Sequence, residues 1–354
     1  MLRHEVRYCT ATDGTRIAYA IAGNGPPLVK VPTHLNHIGF DSTLVGARHW
    51  FEALANRNTL IWPDLRGAGF SDRDPPSVEF DDWVSDLDVV VNHLGLEQFA
   101  LIGISMSGAT SIAYAVLHPE RVTHLILHAP HVRALNRHIS DRGRAKFEAY
   151  KAMIPQFWDA PERWTRSLFA DIVEFAPPEV QDALDQVRRA AISPELCQHV
   201  ISLGADVDVT DLLSRVTAPT LITHSKGDNL APLKNSQVAA ARIPGARLVL
   251  LDARNHIVQE DEPGWPELLN AVWDFLGVGP TDQQPASDLP AVLTAREREV
   301  IALIAAGRTN AEIAEALTIS TATAKTHIHN ILEKLGMKRR SELAAYALRE
   351  GLAR

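Results

Sequence analysis

Short hydrophobic runs alternate with amphipathic stretches from the N-terminus to about residue 276. Two early runs flank Asp13-Gly14, a dipeptide that is typical of hairpin turns. The runs predict strands over residues 5–10, 16–20, 28–31, 59–62, 99–102, 125–127, 221–223 and 248–251. Amphipathic periodicity predicts helices over residues 50–55, 80–94, 233–242 and 265–276. This alternation indicates an α/β fold, with a mostly parallel sheet that helices cover on both faces.

The segment 99–130 places a serine on a sharp turn between a predicted strand and a predicted helix. The strand ends at Gly103, Ser105 lies among small residues, and a helical pattern follows at once. On such a turn the serine hydroxyl is exposed, and the N–H of Met106 points from the helix N-terminus into the same space. Acyl transfer needs this arrangement, although a glycine-rich turn without chemistry is an equally good interpretation of the pentapeptide alone.

A serine nucleophile needs a base and a carboxylate that orients the base, and two later loops offer them. Asp228 follows the predicted strand 221–223, and His256 follows the predicted strand 248–251. The carboxyl ends of parallel strands meet at one edge of a sheet, which is where ligands bind in such folds. We therefore expect Ser105, Asp228 and His256 to form one site, in that chain order.

These features resemble the α/β-hydrolase fold superfamily over residues 5–277. The segments that carry the resemblance are DGTRIAYA, DLRGAGFSDR, GISMSG, HPERV, GDNLAP and the pair NH at 255–256. The resemblance implies that Ser105 is the nucleophile, Asp228 the acid and His256 the base. It also implies that the N–H groups of Met106 and His34 are the oxyanion donors.

Two positions depart from the family pattern. Ser107 stands where the pentapeptide G-x-S-x-G has its last glycine, although Gly108 follows it. The family's first oxyanion loop usually has His-Gly after the third strand, whereas this chain has Pro32-Thr33 before His34. One oxyanion donor is typically worth about 3 kcal/mol, so a displaced loop would slow hydrolysis about 100-fold and still allow a ligand to bind.

Residues 131–216 interrupt the alternation with a helical segment that is rich in aromatic residues: Phe147, Tyr150, Phe157, Trp158, Trp164, Phe169 and Phe175. For any one of these side chains, packing in the core is the expected role. Because the insertion follows the strand after the serine turn, we expect a lid over the pocket rather than extra packing on one face. Residues 278–291 are polar and contain three prolines, so they read as a linker. The predicted organisation is a ligand-binding domain (1–277), the linker and a C-terminal domain (292–354).

The C-terminal segment predicts four helices, over residues 294–307, 311–317, 321–335 and 341–350, with Asn310 capping the second. The second and third form a helix-turn-helix. The third helix has a polar face that suits a major groove, formed by Thr321, Lys325, Thr326 and His329. The basic residues after it suit the phosphates: Lys338, Arg339 and Arg340. A helical bundle with a solvated polar face would show the same pattern.

This segment resembles the LuxR-type helix-turn-helix family along its full length. It carries T-x-R-E-x-E-V, G-x-T-N-x-E-I-A, I-S-x-x-T-x-K-x-H and N-I-x-x-K-L-G. The resemblance implies a homodimer on a double-stranded DNA operator, with Lys325, Thr326 and His329 contacting base edges. Residues 292–354 hold ten basic and seven acidic residues (+3), which leaves 25 against 36 (−11) for the rest, so the charge asymmetry favours the same partner.

Composition narrows the remaining classes. An apolar content of 46% and a charged content of 22% are those of a globular chain. No signal-peptide core and no span-length apolar run is present, so we expect a cytoplasmic protein without a membrane partner. Cys9 and Cys197 match no metal or redox spacing, and we expect neither metal nor cofactor. We interpret four histidines near the predicted site as ordinary loop and strand-edge residues: His34, His37, His128 and His131.

Three hypotheses for function remain open. The first is a transcription regulator whose hydrolase-like domain senses a small apolar ester or lactone, with slow serine-hydrolase activity. The second is an active serine esterase or lactone hydrolase with a tail that tethers it to DNA. The third is an empty pocket in a domain that serves only dimerisation.

Overall fold

The structure is a computed structural model that describes residues 2–41, 43–159, 172–173, 177–278, 295–305, 308–317, 319–334, 340, 343 and 347. The chain divides into two compact units, Met1–Pro285 and Ala286–Arg354. Among the helices in these ranges, none combines the length and the apolar character that crossing a bilayer requires.

Within the described residues, eight strands form one sheet in the first unit. They are β1 (Glu5–Thr10), β2 (Arg16–Ala22), β3 (Pro27–Lys30), β4 (Thr59–Pro63), β5 (Phe99–Ile104), β6 (Val122–His128), β7 (Thr220–Ser225) and β8 (Arg247–Leu251). Their order across the sheet is β1-β2-β4-β3-β5-β6-β7-β8. The pairs β1–β2 and β2–β4 are antiparallel, and all neighbours from β4 to β8 are parallel. The predicted α/β fold is confirmed, and its parallel strands end at one shared edge.

The described helices of the first unit connect these strands. They are α1 (Ile38–Asp41), α2 (Arg48–Arg57), α3 (Phe80–His93), α4 (Ser107–Leu117), α5 (Leu135–His138), α6 (Asp141–Gln156), α7 (Pro178–Ala191), α8 (Pro194–Asp206), α9 (Leu233–Arg242) and α10 (Gly264–Leu276). One core cluster joins the sheet to α2, through Phe51 and Leu54, and to α10, through Leu268 and Val272. Burial of such aliphatic and aromatic side chains stabilises each by about 1.5–3 kcal/mol.

Helices α5 to α8 lie between β6 and β7 in the chain, in the segment that the sequence predicts as a lid. Ile154, Trp158 and Val200 of this segment pack with Leu65, which follows β4, and with Trp83 of α3. This second hydrophobic cluster fixes the insertion above the strand ends rather than on the sheet face. Three of the aromatic residues named for this segment lie outside the described part of the chain: Trp164, Phe169 and Phe175.

The second unit contains α11 (Ala295–Ala305), α12 (Asn310–Ala316) and α13 (Thr321–Lys334) among its described residues. Its core holds Ile304 of α11, Ile313 of α12 and Ala324 and Ile331 of α13. The predicted helix-turn-helix is thereby confirmed as α12 and α13. The predicted fourth helix lies largely outside the described residues.

One cap differs from the prediction in this unit. Thr309, not Asn310, caps α12, since its Oγ1 accepts from Glu312 N at 3.3 Å and its N–H donates to Glu312 Oε2 at 2.7 Å. Asn310 instead accepts a hydrogen bond from Arg340 Nη1 at 2.8 Å, and Arg340 also donates to the carbonyl of Arg308. Arg340 therefore makes contacts within the unit, and its role on phosphates stays a prediction.

Candidate active site at the carboxyl edge of the sheet

Ser105 adopts a left-handed backbone conformation, with φ at +56°, on the turn between β5 and α4. Its N–H donates to the carbonyl of His128 at 2.9 Å. Its own carbonyl accepts from Gly108 N at 3.1 Å and from His131 N at 3.0 Å. These three bonds hold a conformation that non-glycine residues adopt at a cost of about 1–2 kcal/mol, and they turn the serine side chain out of the sheet.

Ser107, which the sequence marks as a departure, has a structural role in this turn. β3 pairs with β5 only as far as Lys30 opposite Ile102, so the polar groups of Ile104 lie beyond that ladder. Ser107 Oγ accepts from Ile104 N at 2.9 Å and donates to Ile104 O at 2.9 Å. Close approach is instead required at Gly103, where a Cβ would collide with Ser111 Oγ. The serine at 107 therefore reinforces the turn that a glycine would leave open.

The structure joins Asp228 to His256 by a hydrogen bond of 2.7 Å between Oδ2 and Nδ1. Asp228 Oδ1 accepts from the N–H groups of Leu230 at 2.8 Å and Ala231 at 2.9 Å. Burial alone would raise the pKa of Asp228, but the hydrogen bond and charge of His256 and the N–H of Ala231 outweigh burial and lower that pKa. The carboxylate is therefore ionised at neutral pH and fixes Nδ1–H as the donor, which leaves Nε2 as the basic nitrogen.

His256 Nε2 is buried and has no hydrogen-bond partner within the described residues. Ser105 and His256 line the same cavity, and no hydrogen bond joins Ser105 Oγ to His256 Nε2 in the described part of the chain. Catalytic hydrogen bonds are often long without a bound ligand and shorten when one binds. The arrangement therefore brings the three predicted side chains to one edge, with the Asp-His pair already formed.

His128 holds the backbone of His256, a role that the sequence analysis missed. Its Nε2 donates to the carbonyl of His256 at 2.9 Å, and its Nδ1 accepts from Thr223 Oγ1 at 2.8 Å. Burial, together with the nearby charge of His256, lowers the pKa of His128 to about 3. A neutral ring therefore connects β6, β7 and the loop after β8. No spacing pattern could reveal this contact, because the acceptor is a backbone carbonyl far along the chain.

A second missed histidine, His224, lies four residues before Asp228 on β7. Its Nδ1 is 2.9 Å from Ser236 Oγ, and its Nε2 is 3.9 Å from Asp228 Oδ2. Burial is the main reason that the pKa of His224 is lowered. The neutral ring therefore lies beside the same carboxylate oxygen that His256 binds.

Asn36 organises the loop that carries His34. Its Oδ1 accepts from Thr33 N at 2.8 Å, from Thr33 Oγ1 at 3.2 Å and from Lys30 Nζ at 3.0 Å. Within the described residues, the N–H groups of His34 and Met106 donate to no other group. Both residues line the cavity beside Ser105. The loop is therefore shaped by a side chain, where the family pattern would use a glycine, and both predicted donors stay available.

A cavity of about 520 Å³ lies at this edge, between the strand ends and helices α6, α7 and α8. Ser105, His34, Met106 and His256 line it. The lid and the loops contribute mainly apolar side chains: Leu35, Leu44, Trp50, Phe51, Leu135, Ile139, Phe147, Tyr150, Ile172, Leu184, Ile201, Leu230 and Ile257. Such a volume and lining suit a small, mostly apolar ligand with a few polar groups.

The interpretation of four histidines as ordinary residues, rather than residues that line the pocket, is wrong for two of them. His34 and His131 line the cavity, and burial lowers the pKa of each to about 4, with the charge of His256 adding to the effect at His131. His128 supports His256 as described. His37 has an ordinary role, since its Nδ1 accepts from Gly39 N at 3.0 Å and its ring packs on Phe70. Position relative to the cavity, not spacing, separates these cases.

Within the ranges that the structure covers, no group of three His, Cys, Asp or Glu side chains is arranged to hold a metal ion. Cys9 and Cys197 are both buried free thiols, and burial raises the pKa of each to about 12.

The predicted DNA-contacting residues are only partly described. Thr321 and Lys325 are exposed on α13, whereas Ala324 and Ile328 are buried. The side chains of Thr326 and His329 and the whole of Lys338 and Arg339 lie outside the described part of the chain. Contact of Thr321 and Lys325 with DNA stays a prediction.

Comparison with known proteins agrees with both units. A family model described as alpha/beta hydrolase fold matches residues 35–263, and one described as bacterial regulatory proteins, luxR family, matches residues 291–347. Solved structures share the fold of the first unit. A hydrolase from Pseudomonas aeruginosa superposes with a TM-score of 0.63 at 21% identity, covering 77% of this chain and 98% of its own. A thermophilic esterase from Thermogutta terrifontis gives 0.62 at 24% identity, with the same two coverages.

Curated relatives divide between the two units in the same way. A pyrrolizixenacetamide deacetylase from Xenorhabdus hominickii is 24% identical over 70% of this chain and 90% of its own length. A 2-hydroxy-6-oxo-2,4-heptadienoate hydrolase from Pseudomonas putida is 28% identical over 63% of this chain and 80% of its own. The transcriptional regulatory protein MctR from Rhizobium johnstonii is 52% identical over 17% of this chain and 28% of its own. The chain belongs to the α/β hydrolase fold family and ends in a DNA-binding domain of the luxR family of bacterial regulators.

Proposed function

We propose that this protein is a DNA-binding transcription regulator whose α/β-hydrolase domain binds a small acyl effector of the ester or lactone type and slowly hydrolyses it. One observation carries the proposal. A cavity of about 520 Å³ with Ser105 and His256 in its wall belongs to the same chain as a luxR-family domain. The cavity supports binding of a small apolar molecule, and the second domain supports a readout on DNA.

The chemistry follows from the residues at the cavity wall. Ser105 Oγ bonds to the acyl carbon as His256 Nε2 takes the hydroxyl proton, and the carbonyl electron pair moves to oxygen. The N–H groups of Met106 and His34 stabilise that oxyanion, while Asp228 stabilises the charged imidazole. His256 then gives its proton to the departing alkoxide. Water repeats the two steps on the acyl-serine, releasing the acid and restoring the serine hydroxyl.

The relatives support hydrolytic chemistry in this fold without deciding the substrate. Two of them are named as a deacetylase and as a hydrolase of an oxo-heptadienoate. From these names we infer for this chain only that its site hydrolyses a bond next to a carbonyl carbon. The effector must also bind the states that favour and disfavour DNA binding with different affinity, because a ligand with equal affinity for both shifts nothing.

The DNA-binding domain implies further properties, which we include in the proposal. The protein acts as a homodimer on two operator half-sites, with α13 in the major groove. Lys325 and the basic residues after α13 neutralise phosphates, so affinity falls steeply with salt. A regulator of this kind works beside the chromosome, in the cytoplasm.

The test combines hydrolysis with DNA binding in wild type and in Ser105→Ala, using 4-nitrophenyl butyrate as substrate and fluorescence anisotropy on the promoter of its own gene. Ser111→Ala is the matched control, because Ser111 is a buried serine of α4 outside the cavity lining. We expect Ser105→Ala to lose turnover and to keep ligand-dependent DNA binding. Absence of turnover in wild type together with no effect of any acyl ligand on DNA binding would refute the proposal.

The same experiment decides the second candidate, an active esterase that the C-terminal domain only tethers to DNA. The preformed pair between Asp228 and His256 favours this candidate. It predicts rapid turnover by wild type and DNA binding that no acyl ligand changes. If Ser105→Ala loses both turnover and the response to ligand, hydrolysis itself is a step of the signalling.

A further inference from the structure

We propose that the ligand of the cavity carries a carboxylate in addition to its acyl group, and that Arg133 binds this carboxylate. The inference rests on the proposed function, since it specifies the class of acyl ligand. Arg133 lies in the segment that follows β6, lines the cavity and has no role in the hydrolytic chemistry described above.

The Arg133 guanidinium is held in one orientation by a buried partner. Its Nε donates to Asn235 Oδ1 at 3.0 Å. Asn235 is only 7% exposed, lines the same cavity and is itself fixed by a bond from its N–H to the carbonyl of Pro232 at 2.9 Å. With Nε engaged, the two Nη groups form the free edge of a half-buried guanidinium. A preorganised edge of this kind loses little entropy when it binds a planar anion.

No carboxylate of the described residues lies within 4.0 Å of this guanidinium, in contrast to its neighbour Arg137. Arg137 Nη1 lies 4.0 Å from Asp208 Oδ2. Asp208 is occupied elsewhere, because its Oδ1 accepts from the hydroxyl and N–H of Thr210 at 2.6 and 3.0 Å and its Oδ2 accepts from Ala134 N at 3.2 Å. A guanidinium at a cavity wall with a free pair of N–H donors is suited to a bidentate carboxylate.

The charges of the cavity wall point the same way. Among the described lining residues the cations are Lys30 and Arg133, and the acid is Asp41. The lining histidines His34 and His131 add no charge at neutral pH, since burial lowers the pKa of each to about 4. Lys30 is buried beside Asp41, and burial lowers the pKa of Lys30, so these two groups largely offset each other. Arg133 is therefore the cation of the described wall that no lining carboxylate offsets, and such a cation favours an anionic ligand.

The segment that carries Arg133 is also bonded to the turn that carries the nucleophile. Two residues earlier, the N–H of His131 binds the carbonyl of Ser105 at 3.0 Å. One ligand can therefore place its carbonyl at Ser105 and its carboxylate at Arg133. The chemical class is a half-ester of a dicarboxylic acid, or a lactone that bears a carboxylate.

The test measures binding by titration calorimetry to the full chain carrying Ser105→Ala, which prevents turnover. The probes are monomethyl esters of dicarboxylic acids of increasing chain length, each paired with its neutral dimethyl ester. Arg133→Gln and the matched control Arg137→Gln are made in the same background. We expect the best monoester to bind about 10- to 100-fold more tightly than its diester, as charged hydrogen bonds allow. Arg133→Gln should abolish this preference, and Arg137→Gln should keep it.

The outcomes separate this inference from the function on which it rests. If both esters bind equally and Arg133→Gln changes neither, the carboxylate inference is wrong and acyl binding stands. If neither ester binds at any chain length of the acid, the carboxylate inference and the proposed function are both wrong. A preference that persists in Arg133→Gln assigns the carboxylate to another cation and refutes the role of Arg133. The diester affinity of Arg133→Gln reports whether the variant retains an intact cavity.

Discussion

Replacement of Ser107 by alanine tests whether this serine secures the turn that carries Ser105. The change removes one oxygen, which accepts from the N–H of Ile104 and donates to its carbonyl, both at 2.9 Å. Ile104 is 6% exposed and lies past the ladder with β3. Its two backbone groups would therefore be left buried without partners.

The magnitude follows from those two groups. An unsatisfied buried donor or acceptor costs about 1–3 kcal/mol, and the carbonyl, which loses a donor, costs less than the N–H, which loses its acceptor, because under-satisfied carbonyls are better tolerated. We expect Ser107→Ala to lower the free energy of unfolding by about 3 kcal/mol. Ser111→Ala is the matched control, since Ser111 Oγ donates at 2.7 Å to the carbonyl of Ser107, which already belongs to the first turn of α4. Loss of this Ser111 hydrogen bond should lower the free energy of unfolding by about 0.5–1 kcal/mol.

Urea unfolding followed by tryptophan fluorescence measures both variants. All seven tryptophans lie in the α/β-hydrolase unit, between Trp50 and Trp273, so the signal reports this unit alone. With an m value of about 3 kcal/mol/M, the midpoint should fall by about 1 M for Ser107→Ala and by a third of that or less for Ser111→Ala. Equal shifts in the two variants would refute the assignment of Ser107 as the partner that satisfies Ile104.

Three further outcomes are expected. Asp228→Asn should reduce hydrolysis of 4-nitrophenyl butyrate about 10,000-fold, because the amide cannot stabilise the charged imidazole, and a loss below tenfold would contradict the assigned pair. The pKa of His34 is about 4 in the folded chain and 6.5 in the unfolded chain. Between these values the unfolded chain binds a proton that the folded chain does not, so the free energy of unfolding falls by up to about 3 kcal/mol as the pH falls from 6.5 to 4. His34→Gln should reduce the slope of that part of the urea-midpoint profile, to which the buried His128 and His131 also contribute, and an unchanged slope would count against a buried neutral ring at His34. Lys325→Ala should weaken DNA binding and lower the salt slope by about 1 in anisotropy titrations, whereas Lys234→Ala in the other unit should change neither.

The sequence predicted those parts of the site that depend on chain position. Ser105, Asp228 and His256 each follow a hydrophobic run, and the ends of parallel strands meet at one edge whatever the side chains between them. The helix-turn-helix was predictable for a similar reason, since the apolar spacing of α12 and α13 defines one packed face.

The parts that the sequence could not predict depend on contacts between distant groups. The role of His128 follows from its hydrogen bond to the carbonyl of His256, and that of Ser107 follows from its bonds to the backbone of Ile104. Backbone groups carry no sequence pattern, so neither contact could be predicted. The cap of α12, in contrast, was predictable, because Thr309 and Glu312 form the T-x-x-E pattern of a capping box and Asn310 has no such partner three residues later.

The left-handed backbone at Ser105 creates a trade-off between stability and reactivity at a single residue. A glycine there would adopt the same conformation without the steric penalty, and the unit would gain stability while losing its hydroxyl. Under the proposed function, Ser105→Gly would therefore give a more stable receptor that binds its ligand without hydrolysing it. Such a variant would suit a biosensor, because it would report the ligand without consuming it.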